Sequence, residues 1–415
     1  MVTTQLTALA DRVKSVRDAP ASQLLAIPNF RRLVAGFALG LAAFNINLMA
    51  QSWLVLDMTD STLWVGIVAG ASTVTAMAFS LVAGALADRM DRKTLLLISR
   101  IAQAAAAFAL AFAVSSGWVE LWQLVVLSIL GGLAVAVMGP AGETLIMDIA
   151  GRERLLTASA LQSLVMSFSR FGAPAAAGVM IATFGVEAVF YSAGAILVVA
   201  SVLIALIRLP KHERPNAEPM LRALVDGLRY VAHTPHVAWL IFVSGLALFA
   251  GVFLPLVPIY ARDVLGVGAK GFGLLEASLG LGTLVGAVWL LSLGDVRRKG
   301  RMVIMAAAAF GASMIVFGFS RDFYLSLAMM FLMGLNPPFW LAGIRTILQT
   351  NIPDEVRGRV MAVFWLAMQS YGLGWPLGGA LAEAFGNEAT IAGAGLLFIL
   401  LNLLAYVRSA PFRNA

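Results

Sequence analysis

The sequence predicts an all-α polytopic membrane protein whose twelve transmembrane helices form a 6+6 pseudo-symmetric pair of bundles. Three observations carry this expectation. Of the 415 residues, 60% are apolar and only 12% are charged, against roughly 45–50% and 25% in ordinary soluble domains. Apolar stretches close to the ~20 residues that a helix needs to cross a bilayer recur twelve times. Landmarks of the first half then reappear in the second at a near-constant offset.

The spans are expected at 33–57, 63–87, 94–116, 119–141, 157–183, 187–208, 237–261, 271–294, 302–319, 323–347, 358–385 and 388–408. The fourth should continue to about Ile149, because Leu145, Ile146 and Ile149 keep an apolar stripe beyond Gly139-Pro140. Residues 1–32 form a polar tail with Arg12, Lys14, Arg17, Arg31 and Arg32, and without the apolar core and cleavage site of a signal peptide. Leu6, Leu9, Val13 and Val16 recur in it at helical spacing, which suits an amphipathic surface helix; a frayed tail is the alternative. The connection 209–236 holds Pro210, Pro215, Pro219 and Pro235 around a helical stretch from Leu221 to Val231. It separates a first six-helix bundle (33–208) from a second (237–408), which a short tail (409–415) follows.

Gly66…Leu86-Ala87-Asp88 recurs as Gly273…Leu293-Gly294-Asp295 at an offset of 207. Glu143-Thr144 matches Arg345-Thr346, and Gly172-Ala173-Pro174 matches Gly374-Trp375-Pro376, both at 202. Repeats of this kind characterise secondary transporters, whose binding site lies near the bilayer midplane between the repeats.

The net charge of +7 reads as membrane topology rather than as a nucleic-acid footprint. With the N-terminus cytoplasmic, the segments on that side hold 25 of the 29 Lys and Arg residues, Arg100 among them. The opposite loops hold Arg262, Lys270 and Arg321. Both termini are therefore expected in the cytoplasm, with the chain in the cytoplasmic membrane.

The inventory excludes several chemistries. Cysteine is absent, which removes disulfides, thiolate metal sites and cysteine nucleophiles. His212, His233 and His236 all fall in the central connection, away from the membrane interior. No Gly-x4-Gly-Lys-Ser/Thr, Gly-x-Ser-x-Gly or His-Glu-x-x-His string occurs, so neither ATP hydrolysis nor an enzyme site is expected, and no cofactor or metal.

Arg170 is the most informative residue. It sits thirteen residues from either end of the fifth span, where a cation costs at least ~2.5–3.5 kcal/mol. Ser163, Ser167 and Arg170 form one polar stripe at i, i+4 and i+7 that should face a wet cavity; packing against helix carbonyls or a carboxylate is the alternative. Asn45, Asn47 and Gln51 lie near mid-membrane in the first span, to bind solute or to join helices. Glu276, about five residues inside the eighth span, is the deepest carboxylate and the candidate for carrying a coupling proton, with Asp57 and Glu383 behind it. The Gly36–Gly40, Gly66–Gly70 and Gly282–Gly286 spacings read as helix packing. Pro174, Pro255, Pro258, Pro337, Pro338 and Pro376 should mark kinks.

The loop after the second span reads Gly84-Ala85-Leu86-Ala87-Asp88-Arg89-Met90-Asp91-Arg92-Lys93. It resembles the signature of the major facilitator superfamily, Gly-x-Leu-x-Asp-Arg-x-Gly-Arg-Lys, departing from it only where Asp91 replaces a glycine. The resemblance implies alternating access, with Asp88 and Arg92 as a conformation-sensitive charge relay in a gate that includes Gly84 and Arg89. Gln51-Ser52-Trp53-Leu54-Val55, Gly227-Leu228-Arg229-Tyr230 and Ile352-Pro353-Asp354-Glu355-Val356-Arg357-Gly358-Arg359-Val360 are similar to strings in the enterobactin-exporter-like and drug-efflux branch. That branch implies export and proton coupling.

The expected cavity is lopsided. The first bundle offers Arg170, Asn45, Asn47, Gln51 and Ser167, while the repeat equivalent of Arg170 in the second is Gly372. The second bundle offers Phe249, Phe253, Phe339, Trp340, Phe364, Trp365 and Tyr371, which suits a small amphipathic, ring-bearing solute such as a siderophore or drug. Glu143 and Arg345, at equivalent positions with opposite charges, are expected to pair across the cytoplasmic gate. The expected partners are thus a small solute, protons and the bilayer, with the chain acting as a monomer. The rival readings are a nutrient-uptake symporter of the same fold and a membrane scaffold that transports nothing.

Overall fold

The structure, a computed structural model, describes residues 20–89, 92–151, 154–207, 220–294, 296–409 and 412–413. Asp91, the tail stripe from Leu6 to Val16 and the side chains of Asp88, Arg89, Arg92, Glu143, Ser163 and Ser167 lie outside this description.

After a short α1 (Pro20–Leu25), the first six spans are α2 (Pro28–Thr59), α3 (Thr62–Arg89), α4 (Arg92–Ser115), α5 (Leu121–Ala150), α6 (Leu155–Phe184) and α7 (Val186–Ala205). The connection contains α8 (Met220–His233). The seventh span is broken into α9 (Pro235–Gly245), α10 (Ala247–Val252), a 3-10 turn at Leu254–Leu256, a short α11 (Val257–Ile259) and a π-turn at Tyr260–Val264. Next come α12 (Gly268–Ser292) and α13 (Lys299–Phe319). The tenth span is α14 (Phe323–Leu335) plus α15 (Pro337–Thr350), the eleventh α16 (Asp354–Met368) plus α17 (Ser370–Phe385), and the last is α18 (Asn387–Arg408). Among the described residues, nine helical stretches are long and apolar enough to cross a membrane, with Leu121–Ala136 as a shorter apolar one.

Proline explains some of the breaks. It supplies no N–H and its ring displaces the carbonyl four residues back, so Pro255 and Pro258 break the seventh span and Pro337 restarts the tenth after Asn336. Pro174 and Pro376 instead stay inside continuous helices. The break at Gln369 follows no proline.

The two sets of helices meet along glycine stripes at the end of the molecule opposite the termini, the loop end. A Cβ on Gly66 would lie 2.4 Å from the Trp375 carbonyl oxygen, and one on Gly70 2.6 Å from Pro376 Cδ. A Cβ on Gly273 would lie 2.7 Å from the Pro174 carbonyl oxygen. Gly66 is the repeat counterpart of Gly273, and Pro174 that of Pro376, so equivalent elements meet twice about the pseudo-twofold axis. Among the described residues, the glycine-mediated approaches between the halves run from the loop end as far as Arg170–Gly280 and Thr73–Gly372.

A polar latch adds to this closure. Arg262 binds Asp60 and donates to the Leu56 carbonyl at 3.2 Å. Glu383 accepts from the Ser61 hydroxyl and, at 3.3 Å, from the Leu63 amide, which caps the first turn of α3 from the other half. Glu383 therefore serves as a cap, and Asp57 is exposed near the end of α2.

At the termini end, Lys93, the last residue of the loop signature, donates at 2.6 Å to both the Ala205 and Ile207 carbonyls. A cation there complements the helix C-terminus. Arg32 does the same for Leu206 at 3.0 Å. The connecting helix α8 lies against α16: a Cβ on Gly227 would come within 2.4 Å of the Arg359 carbonyl oxygen, and Asp226 faces the Arg359 guanidinium at 3.7 Å. Two strings that were separate in the sequence thus form one contact.

One cation is not where its sequence position suggested. Arg100, counted among the membrane-surface cations, is 3% exposed inside the first bundle. Its guanidinium packs on Gly40, where a Cβ would lie 2.3 Å away, and donates to Gln103 Oε1 at 3.1 Å. It lies eight residues inside α4 on the face toward α2, so the bare glycine and the Gln one turn on accommodate it in place of lipid phosphate.

Magnitudes rank the two closing devices. An exposed ion pair contributes about 0.2–1 kcal/mol, whereas forcing atoms into a packed contact costs about 1–3 kcal/mol. We expect Gly66→Val to hold the loop end open, and Arg262→Ala with Glu383→Gln to shift the population only a few-fold. Distances between spin labels at Ser116→Cys and Ala384→Cys, both exposed at this end and introduced into a cysteine-free chain, read both outcomes.

Candidate functional site

Arg170 lies midway along the 30-residue α6 and lines a cavity of about 390 Å³. Among the described residues, the cavity takes Arg170 and Thr73 from the first half and the rest of its lining from the second. Six aromatic side chains wall it: Phe253, Phe310, Trp340, Trp365, Tyr371 and Phe398. Phe310 joins two of them edge-on, Phe398 at 5.4 Å and Phe253 at 6.3 Å between ring centres, and Trp340 lies 5.8 Å from Phe398. Trp340 is fixed by its Nε1–H to Asn402 Oδ1 at 3.0 Å. Arg170 is the one charged residue on the lining.

Among the described residues the membership of this cavity differs from the expected one. Phe253, Trp340, Trp365 and Tyr371 line it as expected, while Phe339 and Phe364 are buried in the core and Phe249 packs against that core. Phe310 and Phe398 were missed, because nothing in the ninth and twelfth spans sets them apart from packing aromatics. Asn336 and Gln369 also line the cavity, each at a helix break; the Asn336-Pro337-Pro338 string was the available signal for the first. Gly372, the counterpart of Arg170, lines the cavity, and the Thr73 side chain fills the space that a Cβ there would need.

The three polar residues of the first span do not share this cavity. Asn47 and Gln51, one turn apart, face into the first bundle, where a pocket of about 30 Å³ also touches Gln103 and Ser128. Gln51 Oε1 accepts from the Ser128 hydroxyl at 2.6 Å, so this pair joins α2 to α5. Asn45, two residues and about 200° of helix before Asn47, faces the boundary between the halves. It lines a separate cavity of about 70 Å³ with Glu276 and Trp375. Helix α12 begins at Gly268, three residues earlier than expected, so Glu276 lies eight residues, or about 12 Å, inside it. Arg345 is exposed on α15.

A family profile described as transmembrane secretion effector matches residues 23–415. The chain belongs to this family, within the major facilitator superfamily. It is a multi-pass membrane transporter of that superfamily and not an enzyme. Among its relatives, the multidrug efflux pump Tap of Mycolicibacterium fortuitum is 30% identical over 393 residues, 91% of this chain and 93% of that protein. The enterobactin exporter EntS of Shigella boydii serotype 4 is 26% identical over 417 residues, 96% and 95% of the two chains. The solved structure of the nucleoside transporter NupG superposes with a TM-score of 0.76 at 11% identity, covering 91% of this chain and 98% of that one. A D-xylose-proton symporter gives 0.70 at 15%, with 93% and 99% covered. At such identities these two structures speak for the fold of the transporter alone.

Separate cavities make a separable test. Ala250 lines the aromatic cavity, and overlap from Ala250→Phe should cost a bound solute ~1–3 kcal/mol, or about tenfold in flux at limiting concentration. Ser128→Ala, which touches only the first-bundle pocket, should leave flux near wild type. Uptake into everted vesicles at matched protein levels checks both.

Proposed function

We propose that this transporter is a proton-coupled exporter of small amphipathic solutes, drug-like or siderophore-like, working by alternating access. The observation that carries the reading is Arg170 at mid-helix on an aromatic cavity that both halves line. An arginine is expensive at that depth, and a cavity wall gives its planar, forked guanidinium access to water and to an anionic or hydrogen-bonding solute. The rings opposite supply flat apolar area. Glu276, in its own cavity on the boundary between the halves, is the candidate proton carrier. Two relatives named for outward movement, a multidrug efflux pump and an enterobactin exporter, support the direction.

The cation distribution supports cytoplasmic termini. On that orientation the closed loop end faces outward, which supports an inward-facing state, with one chain as the working unit. Rocking about the cavity would then open the glycine stripes and shut the termini end. Asp88, Arg92, Glu143 and Arg345 would make their gate contacts there.

Arg170→Ala should lower export by about tenfold or more, the equivalent of losing a charge-assisted hydrogen bond of ~1.5–3 kcal/mol, while folded protein still reaches the membrane. Arg170→Lys should recover little, because an ammonium does not reproduce the fork. Flux of aromatic anions and cations in everted and right-side-out vesicles measures both the loss and the direction; wild-type flux in the Ala variant, or net uptake into right-side-out vesicles, contradicts the reading.

The gate has its own test. Charge reversal at Glu143 or Arg345 alone should favour the inward-facing state, and Glu143→Arg with Arg345→Glu should restore transport. Spin-label distances between the termini-side ends of α5 and α15 read the populations, and additive damage in the double swap removes the pair.

A further inference from the structure

The cavity that holds Glu276 is about 70 Å³ in volume, large enough to admit water. Its walls come from both halves: Asn45 and Ser52 on α2 and Pro174 on α6, then Leu254 and Pro255 at the broken seventh span, Glu276 on α12 and Trp375 on α17. Two buried nitrogen donors on these lining residues have no hydrogen-bond partner, Asn45 Nδ2 and Trp375 Nε1. Trp375 is itself 6% exposed. Buried donors left unpaired are costly, and here they belong to residues that line the same cavity as a half-buried carboxyl group.

The donor set discriminates between ions. A metal cation needs a shell of oxygen ligands. This pocket's oxygen-bearing side chains are the Glu276 carboxyl, the Asn45 amide and the Ser52 hydroxyl, whose proton goes to the Leu48 carbonyl at 2.9 Å, fewer groups than the ~6 oxygens that a hard cation takes. Its remaining side-chain polar groups include the Trp375 N–H, which only donates. Donors repel a metal ion and suit a carboxylate or the oxygen of a water. Resting on the transport reading above, we propose that this pocket is the coupling-ion site. Its ion is a proton carried on Glu276 beside enclosed water, and Asn45 and Trp375 are its positioning residues.

The site belongs to neither half alone. Asn45 and Pro174 leave it when the loop end opens, so the pocket is complete only in the closed state. Closing its walls over the acid strips water from it, and a neutral carboxyl gives up less hydration than a carboxylate. Proton binding and loop-end closure therefore favour each other, by a reciprocal free energy. Of the charged groups on elements packed against α12, Arg262 and Asp263 are bound to each other at the loop end, and Arg345 is exposed on α15. Arg170 on α6 remains, and Tyr371 on α17 lies within electrostatic reach of both Arg170 and Glu276. Tyr371 also lines the aromatic cavity.

The test needs no solute. Full-length protein labelled at Ser116→Cys and Ala384→Cys is placed in lipid nanodiscs, and label distances are recorded across a pH series in sodium-free buffer. Acidification should move the wild type several-fold toward the short, closed distance. Glu276→Gln should hold that distance at every pH, and Asn45→Leu or Trp375→Phe should keep a transition with its midpoint displaced to higher pH. Sodium at fixed pH should change nothing. A pH response that survives in a monodisperse Glu276→Gln variant, or a sodium-driven shift in the wild type, overturns the proposal. Solute counterflow in proteoliposomes separates this outcome from the transport reading. Glu276→Gln should retain counterflow while losing pH-driven accumulation, and accumulation that persists removes the proton from Glu276. Wild-type protein without any counterflow would instead fail as a transporter while its pH-dependent distances stood.

Discussion

The arrangement depends on how closely two backbones can approach where side chains are absent. Gly66 and Gly70 admit the Trp375-Pro376 backbone and ring, and Gly273 admits the Pro174 carbonyl. In lipid, burying apolar surface between helices gains little, so close packing decides which faces associate. These contacts fix the relation of the halves, and the rest follows from that relation. It places Trp375 beside Glu276, brings Thr73 onto Gly372, and sets Arg170 on the edge of a cavity built mainly by the other half.

The second organising feature is the separation of charge. Arg170 faces the aromatic cavity, Glu276 faces the small one, and Arg100 is enclosed in the first bundle. A single cavity holding Arg170 and Glu276 would let the two charges neutralise each other. Instead each is handled by a different local device: a wet aromatic wall, a pocket with nitrogen donors, and a bare glycine with a neighbouring glutamine amide.

Much of this was legible in the sequence, and the unread part has physical reasons. The spans follow from hydropathy, because an unpaired peptide group in lipid is so costly that only long helices cross. The internal repeat identified Gly66, Gly273, Pro174 and Pro376 as equivalents, and the structure shows why, since they contact one another pairwise. Depth singled out Arg170, which lines the aromatic cavity, and helical spacing puts Asn47 and Gln51 on one face; the roughly 200° between Asn45 and Asn47 sends those two to different pockets. Arg100 was read as a surface cation because position alone cannot distinguish a snorkelling arginine from one that another helix accommodates. Phe310 and Phe398 gave no warning, since an aromatic that lines a cavity and one that fills a core have the same sequence signature.

The contact of α8 with α16 has a mechanical meaning. Because Gly227 sits on the Arg359 backbone and Asp226 faces its side chain, the connecting helix travels with the second half and is not a neutral tether between the two. A chain divided ahead of Met220 would leave α8 with the half it packs against, whereas a cut after His233 would strip α16 of its cover. Length changes made before α8 would alter the reach between the halves; the same changes made after it would disturb the packing of one of them.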